Sequence, residues 1–305
     1  MFALSGQGLL NALTQLSGEA GTGSQQTTFN AMNQFMGVMA DPLIAGRSHG
    51  IAAGRTAAGY ADDEASSYAQ EHKPSDALAA IYSKAPPQLP TFEQRWSVWV
   101  TGFGGSQTTD GNAVVGSNNT SSTLSGTAVG ADYRFSPDTI AGFALAGGGT
   151  SFTVANNLGG GRSDLLQVGA FIRRNFGPAY VVGTLAYGWQ DITTDRTITV
   201  AGVDRLRAEF TANAWSGRLE GGYRLVTQGL GTTPYAAGQF TTFELPNYAE
   251  TTIVGANTFA LAYNSRSITD TRSELGLRTD KSFGMPDRIL TLRGRAAWAH
   301  DFNPG

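Results

Sequence analysis

The stretch Trp215-Ser-Gly-Arg-Leu-Glu-Gly-Gly-Tyr-Arg-Leu225 alternates large apolar side chains with polar ones. Apart from glycine, its odd-numbered positions carry Trp, Leu, Tyr and Leu, and its even-numbered positions carry Ser, Arg, Glu and Arg. A period of two indicates a β-strand whose two faces meet different surroundings. The charged face needs water and the other face needs an apolar environment. This strand therefore predicts a sheet with one wet side and one dry side.

The same alternation recurs from Trp96 to the end of the chain and predicts nine strands. In the eighth strand, for example, Leu275 and Leu277 alternate with the charged Glu274. The nine predicted strands cover residues 94–105, 123–135, 139–154, 163–176, 179–193, 211–226, 233–245, 266–283 and 288–301.

The connections between these strands are alternately short and long. Four are tight turns that contain Gly or Pro, at 136–138, 177–178, 229–231 and 284–287. The other four are longer, at 106–122, 156–162, 194–210 and 246–265. In an up-and-down sheet every second connection lies at the same end, so the pattern predicts tight turns at one end and loops at the other. Outer-membrane barrels have this asymmetry.

Two structures fit this pattern: an antiparallel sheet with one solvated face, and a barrel with a water-filled lumen. Glycine favours the barrel, because 40 of the 305 residues are Gly and small residues suit curved strands and a narrow lumen. Only three of the 21 basic residues are Lys, and the rigid guanidinium of Arg suits fixed ion pairs. We therefore predict an all-β fold, an antiparallel up-and-down transmembrane β-barrel.

Residues 1–41 are predicted to be helical. Ser24 is the expected N-cap, and Asp41 before Pro42 is expected to end the helix. Apolar residues at spacings of three and four form one helix face: Phe29, Met32, Phe35, Met36 and Met39. Two interpretations stay open for this helix, which either packs on the sheet as an ordinary helix or sits near or inside a pore.

The segment between the helix and the first strand, residues 42–93, is rich in Ala and Gly and ends in a cluster of prolines. It has no sustained apolar period, so we predict a flexible linker. The chain is therefore divided into a helical segment (1–41), a linker (42–93) and a barrel domain (94–305).

The composition excludes several classes of function. The net charge of −3, from 21 basic and 24 acidic residues, lacks the basic footprint of a nucleic-acid partner. No apolar run is long enough for a transmembrane helix, and the absence of Cys excludes disulfides and thiol chemistry. His49, His72 and His300 are far apart in sequence. We therefore predict no enzyme activity, metal site, cofactor or small-molecule substrate.

The charged residues of the strands are the candidate functional site. They are predicted to line the lumen: Asp132, Arg134, Arg173, Arg218, Glu220, Arg224, Arg272, Glu274, Arg278, Arg293 and Arg295. Two interpretations stay open, since ion pairs could fill and stiffen the lumen or could contact the helix or another segment inside the lumen. Barrels also carry aromatic girdles at both membrane interfaces. Four tryptophans that lie toward the ends of predicted strands are the candidates for them: Trp96, Trp99, Trp189 and Trp298. Tyr180 lies toward a strand end as well.

An ordered series of motifs resembles one known family. The series includes Gly-Ala-Asp-Tyr-Arg-Phe (130–135), Ala-Tyr-Gly-Trp-Gln (186–190), Gly-Arg-Leu-Glu-Gly-Gly-Tyr-Arg (217–224), Ser-Glu-Leu-Gly-Leu-Arg (273–278) and Arg-Gly-Arg-Ala-Ala-Trp-Ala-His (293–300). Together these segments resemble the translocator β-domain of autotransporters, the type V secretion proteins.

The resemblance implies a 12-stranded barrel in the bacterial outer membrane. Such a domain anchors an N-terminal passenger, helps to export it to the cell surface and holds a linker helix in its lumen. The implied partners are outer-membrane lipid, the barrel assembly machinery, periplasmic chaperones and the passenger, and no cofactor is implied. Two alternatives remain: a passive outer-membrane pore without a passenger, and the anchor of a surface enzyme whose catalytic domain lies upstream.

The strand count predicts that the chain is a piece of a longer protein. Single-chain bacterial barrels have even numbers of strands, whereas nine is odd, and the resemblance implies three more. Residues 1–17 also lack the basic start and the long apolar run of a signal peptide. We therefore expect the protein to continue beyond both ends.

Overall fold

The computed structural model describes residues 6–41, 95–111, 117–200, 202–227, 229–285 and 288–302. The linker predicted over 42–93 lies outside these residues. In the described part of the chain, no helix has the length and apolar character needed to span a membrane.

Two helices precede the sheet, α1 (Gln7–Leu16) and α2 (Ala20–Ala40). The chain turns between them at Gly18, whose φ of 77° lies in the left-handed region that favours glycine. Asp41 has an extended backbone immediately after α2, so the predicted stop before Pro42 is confirmed.

The predicted N-cap at Ser24 is wrong. The helix starts at Ala20, and Ser24 lies inside its second turn, where its hydroxyl donates to the carbonyl of Gly21 at 2.7 Å. The physical reason is that the turn at Gly18 comes directly after α1, so the second helix begins before Ser24 is reached.

Nine long strands follow, as predicted. They are β1 (Trp96–Thr109), β2 (Thr120–Ser136), β3 (Thr139–Val154), β4 (Gly159–Phe176), β5 (Ala179–Ile198), β6 (Asp204–Tyr223), β8 (Leu230–Leu245), β12 (Arg266–Met285) and β13 (Arg288–Asp301). Four short strands complete the described part: β7 (Leu225–Thr227), β9 (Tyr248–Ala249), β10 (Thr251–Val254) and β11 (Ala262–Tyr263).

The long strands form one antiparallel up-and-down sheet in chain order, from β1 to β13. The strand β7 pairs with β8, β10 pairs with the start of β6, and β9 pairs with β11 in a small separate ribbon. The sheet curls into a half-barrel whose concave face holds α2, which contacts β1 to β6 and β8. Within the described residues, β1 and β13 each pair with a single neighbour.

The two ends of the sheet differ as the sequence predicts. At the turn end the connections are short: residues 137–138 join β2 to β3, residues 177–178 join β4 to β5, and the strand bounds leave two residues between β7 and β8 and two between β12 and β13. At the loop end they lie at 110–119, 155–158, 199–203 and 246–265. The last of these contains β9, β10 and β11.

Two predicted loops are largely strand. Residues 159–161 belong to β4, where they pair with both β3 and β5. Strands β5 and β6 stay paired as far as Ile198 and Asp204, which form their last pair at the loop end. The alternation of apolar and polar residues fails there because the convex face itself becomes polar, as at Asp191 and Asp195. Backbone pairing with neighbouring strands continues regardless of that change.

Aromatic rings cover glycines directly across the strand pairs of the concave wall. Trp99 is paired with Gly130, Tyr235 with Gly276 and Tyr180 with Gly222. A Cβ built on any of these three glycines would lie only 2.5 Å from a carbon of the facing ring. Glycine therefore lets each ring lie flat on the neighbouring strand and fill the inner curve of the wall.

A single added methyl group tests this packing. We expect Gly276→Ala to lower the free energy of unfolding by about 1–3 kcal/mol, because the methyl displaces the Tyr235 ring. The matched control is Gly183→Ala, because no atom lies within 4 Å of a Cβ at that strand position. We expect the control to be neutral or stabilising by up to about 1 kcal/mol. Urea unfolding in detergent measures both, and equal effects would contradict the ring-over-glycine packing.

Candidate functional site: the lumen face and its helix

Helix α2 presents its predicted apolar face to the concave wall. Met32, Phe35, Met36 and Met39 are fully buried, and Phe29 packs edge-on against Phe243 of β8, with ring centroids 6.4 Å apart. The helix therefore packs on the sheet, and it does so on the concave face, which is the side where the second interpretation places the pore.

Glycines on β4 and β5 make room for the methionines of α2. A Cβ on Gly188 would lie 3.1 Å from the sulfur of Met32, and a Cβ on Gly169 would lie 2.5 Å from the sulfur of Met39. The unbranched methionine side chains adapt to these hollows in the wall. The apolar contact between helix and wall depends on both residue types.

Polar contacts join the same helix to two strands, β1 and β5. The hydroxyl of Thr28 is 3.0 Å from Gln190 Oε1, and the amide of Gln26 donates to the hydroxyl of Thr109 at 2.6 Å. Asn30 donates to Gln107 at 2.6 Å. These bonds set the height and rotation of the helix, which apolar packing alone leaves loosely specified.

An ion cluster lies on the wall nearer the turn end, centred on Glu220. This carboxylate is 0% exposed. It accepts hydrogen bonds from Arg278 at 2.6 and 3.0 Å, from Arg218 at 2.8 Å and from the hydroxyl of Tyr180 at 2.8 Å. A buried carboxylate needs such partners because its charge has lost its water.

Glu274 is the second acidic centre of the cluster. It accepts hydrogen bonds from Tyr235 at 2.5 Å, from Arg295 at 2.6 Å and from Arg218 at 3.2 Å. Arg218 therefore bridges the two carboxylates. A Cβ on Gly37, in the last turn of α2, would lie 3.6 Å from Arg295 Nη1. The cluster thus places a cation beside the helix end that carries the negative end of the helix dipole.

The structure joins five of the eleven predicted lumen residues in this cluster: Arg218, Glu220, Glu274, Arg278 and Arg295. Four others have separate partners on the same wall. Asp132 accepts from the indole of Trp99 at 2.9 Å, Arg173 lies over the Tyr180 ring, Arg224 pairs with Asp280 and Arg272 pairs with Asp301.

The two remaining predicted residues lie apart from the cluster. Arg134 is half-buried near the turn end of β2, and neither its Nε nor its Nη2 has a hydrogen-bond partner among the described residues. Arg293 is exposed on β13, opposite Asp280 of β12 in the strand register.

Sequence reasoning missed the two tyrosines that complete the cluster. Tyr180 had the appearance of an interfacial aromatic because it follows the Gly177–Pro178 turn, yet it is 4% exposed on the concave face. Tyr235 is 5% exposed there as well. Strand parity carried the missing signal, since Tyr180 shares its face with the polar Thr184.

Three of the four predicted interfacial tryptophans lie on the convex face, with Trp96 45%, Trp189 42% and Trp298 62% exposed. The prediction for Trp99 is wrong, because it is 2% exposed and bonds to Asp132 inside the half-barrel. Trp96 and Trp99 are three residues apart, and a strand of period two must send them to opposite faces.

Comparison with known proteins agrees with this architecture. The model of the family described as "Autotransporter beta-domain" matches residues 98–305, which is most of the chain.

The chain belongs to the autotransporter β-domain family.

Two solved structures share the fold of this autotransporter domain. The translocator domain of the autotransporter NalP from Neisseria meningitidis is 16% identical with a TM-score of 0.57, over 82% of this chain and 80% of that one. The β-domain of the Bordetella autotransporter BrkA is 22% identical with a TM-score of 0.55, over 68% of this chain and 79% of that one. No curated protein matches the chain.

The protein is an outer-membrane translocator domain that anchors an autotransporter passenger and helps to export it to the cell surface. Its convex face has the matching distribution of side chains. On β5 the outward residues are apolar from Val181 through Leu185 to Trp189, and the next outward residue is Asp191. On β6 the apolar outward residues begin at Trp215, whose ring packs against the ring of Tyr187 with centroids 4.2 Å apart.

In this translocator domain, the tryptophans that end the outward apolar band of β5 and β6 lie within the strands rather than at their ends. Trp189 was predicted near a strand end, but β5 continues to Ile198. The strands therefore rise well beyond the outward apolar band at the loop end.

Removal of the central carboxylate tests the ion cluster. We expect Glu220→Ala to lower the free energy of unfolding by about 3–5 kcal/mol, since the buried charge of Arg278 would lose its carboxylate partner and Arg218 would keep only Glu274. The control is Asp195→Ala, which breaks an exposed pair with Arg207 and is expected to cost about 0–1 kcal/mol. Urea titration in lipid vesicles provides the comparison. A cost for Glu220→Ala no larger than that of the control would refute this role of the cluster.

Proposed function

We propose that α2 is the segment that joins the passenger to the barrel and remains in the lumen of this translocator domain. The observation that carries the proposal is the match between Met32 and Met39 of the helix and the glycines Gly188 and Gly169 of the wall. Because the glycines of the wall leave room for these two methionines, the fit favours a helix that stays in the lumen over an open channel.

The proposed division of the chain follows from this role. Residues 1–41 form the passenger–barrel junction, residues 42–93 form the linker that returns to the first strand, and residues 94–305 form the barrel domain. The division is supported by the start of β1 at Trp96, at the same end of the sheet as the last turn of α2 near Arg295.

The lumen charges are proposed to stiffen the wall and to seat the helix end. Their arrangement supports the first role, because Tyr180, Arg218, Tyr235, Arg278 and Arg295 tie five strands together through two carboxylates. The position of Arg295 beside Gly37 supports the second role. The proposal assigns no catalytic step to these residues.

The proposed surroundings of the domain are lipid and the machinery that assembles outer-membrane proteins. Trp96, Trp189 and Trp298 are proposed to mark the two membrane interfaces, as aromatic girdles do in barrels. Backbone groups of a strand edge have no water to bond in lipid, so strands must pair as they insert. This requirement favours the barrel assembly machinery and periplasmic chaperones as partners.

Protease treatment of intact cells that express the complete gene tests the export function. We expect external protease to digest the passenger while the barrel strands, paired within the membrane, stay intact. Immunoblots for both parts provide the measurement, with lysed cells as the control for total protein. A passenger that stays in the periplasm beside a folded barrel would contradict export and favour the passive-pore alternative.

A charge placed in the helix–wall contact tests the resident helix. We expect Met36→Asp to expel α2 and to raise the single-channel conductance of the full-length protein in planar bilayers, because a buried carboxylate without a partner is strongly unfavourable. Gln34→Asp is the matched control, since Gln34 is half-exposed beside a polar groove next to β1. Equal conductance for the two variants would exclude a helix seated by Met36.

A further inference from the structure

Arg196 of β5 lies at the loop end of the wall and binds two other segments of the chain. Its side chain is 4% exposed. Nε donates to Glu250 Oε1 at 2.8 Å, Nη1 donates to the carbonyl of Gln15 at 2.7 Å and Nη2 donates to the carbonyl of Phe259 at 2.7 Å. Nη2 also pairs with Glu250 Oε2. One guanidinium therefore connects the wall, the end of α1 and the loop over 246–265.

Glu250 is the buried counterpart in that loop, with a side chain 5% exposed. Besides Arg196, it accepts a hydrogen bond from the backbone N–H of Leu261 at 2.9 Å. Glu250 and Leu261 lie on the two arms of the β9–β11 ribbon. The carboxylate thus holds the loop closed on itself and holds it to the wall through the same pair.

The loop also rests directly on the turn between the two helices. A Cβ on Gly18 would lie 3.0 Å from a methyl group of Leu261 and still closer to the hydroxyl of Tyr263. The rings of Phe210, Tyr248 and Tyr263 stack in sequence, with centroids 3.9 and 4.5 Å apart. Burial, and then the charge of Glu250, raise the pKa of Tyr248 to about 12, so its ring stays neutral.

Two other loops hold the same part of the helical segment. Glu19 accepts from the backbone and side-chain N–H groups of Asn118 at 2.6 and 2.8 Å. Gln15 Oε1 accepts from the backbone N–H of Thr199 at 2.8 Å. The α1–α2 junction, residues 15–21, is therefore held by the loops over 110–119, 199–203 and 246–265.

We propose that the loop over 246–265, fastened by the Arg196–Glu250 pair, is a latch that closes the loop end over α2 when the α1–α2 junction occupies it. The closed form includes the carbonyl of Gln15 and the bare backbone of Gly18 as partners. A stretch of polypeptide that lacks a glycine three residues after such a carbonyl cannot offer both, because a Cβ there would clash with Leu261 and Tyr263. Closure therefore follows passage of the passenger and locks the helix in place, so the latch rests on the proposed residence of α2 in the lumen.

Thiol labelling of the full-length protein in whole cells tests the latch. This chain has no cysteine, and Ser24 of α2 is 2% exposed, so Ser24→Cys supplies a protected probe with little change in shape. We expect Arg196→Met and Glu250→Gln each to raise its labelling rate by a membrane-impermeant maleimide about tenfold, because the loop end opens locally.

The controls separate the latch from general loosening of the barrel. Arg207→Met removes an arginine of β6 that makes an exposed pair with Asp195, the neighbour of Arg196 on β5, and we expect it to leave the labelling rate unchanged. Ser151→Cys, at an exposed position of β3, should react at the same rate in every background. The heat-modifiable band of the folded barrel should also persist in both latch variants.

Two results would overturn the proposal. Protection of Ser24→Cys that persists in both latch variants would show that the pair does not close the loop end. Loss of the folded band in both latch variants, with Arg207→Met still folded, would place the pair in the fold itself rather than in a latch. Passenger display is scored in the same cells. Loss of display in the protein with an intact latch, with Ser24→Cys still protected, counts against the export function and not against the latch.

Discussion

Every strand of this wall must send alternate side chains into two environments that exclude each other. The convex side takes lipid-compatible groups such as Leu219, and the concave side takes charged groups such as Arg218 and Glu220. A slip of one residue in any pair would exchange the two sets and bury charge in an apolar surrounding. The register of the nine strands is therefore tightly specified, and the half-barrel, its ion cluster and the seat of α2 all depend on it.

The concave face is filled in two different ways at two heights. From the middle of α2 to its last turn, glycines of β4 and β5 receive methionine side chains, and a few amide and hydroxyl bonds fix the position of the helix. Nearer the turn end, Glu220 and Glu274 gather arginines and tyrosines from five strands. Buried charge without partners is costly, so the cluster has to assemble as a unit. It thereby provides a rigid floor beside the last turn of the helix.

Much of the fold could be predicted because period two and turn chemistry are local properties. The nine strands, the tight turns at one end and the apolar face of α2 were predicted correctly from neighbouring residues alone. The errors came where the environment changes along an element. Loops were predicted at 156–162 and 194–210 because the outward residues become polar above the apolar band, although the backbone pairing continues. Trp99 was assigned by its position near a strand end, although its parity places it inside.

The candidate site was less predictable, for a related reason. The sequence shows which charges share a face but not which of them meet, because partners such as Arg218 and Glu274 lie 56 residues apart. Strand parity indicates the face of Tyr180 but not its partner, and the Arg196–Glu250 pair gave no local signal. Their roles depend on the curvature of the wall and on the loop that folds back over α2.

By itself, then, the sequence determined the class of the fold, the two faces of the strands and the helix with one apolar side. Alternation and turn residues report directly on local backbone geometry, and that geometry needs no distant partner. Only the tertiary structure decided which five predicted lumen residues form one cluster and that Trp99 bonds to Asp132. It alone also brought three loops onto the α1–α2 junction. Those outcomes depend on how far the sheet curls, which is set by the packing of rings on glycines and of α2 on the wall.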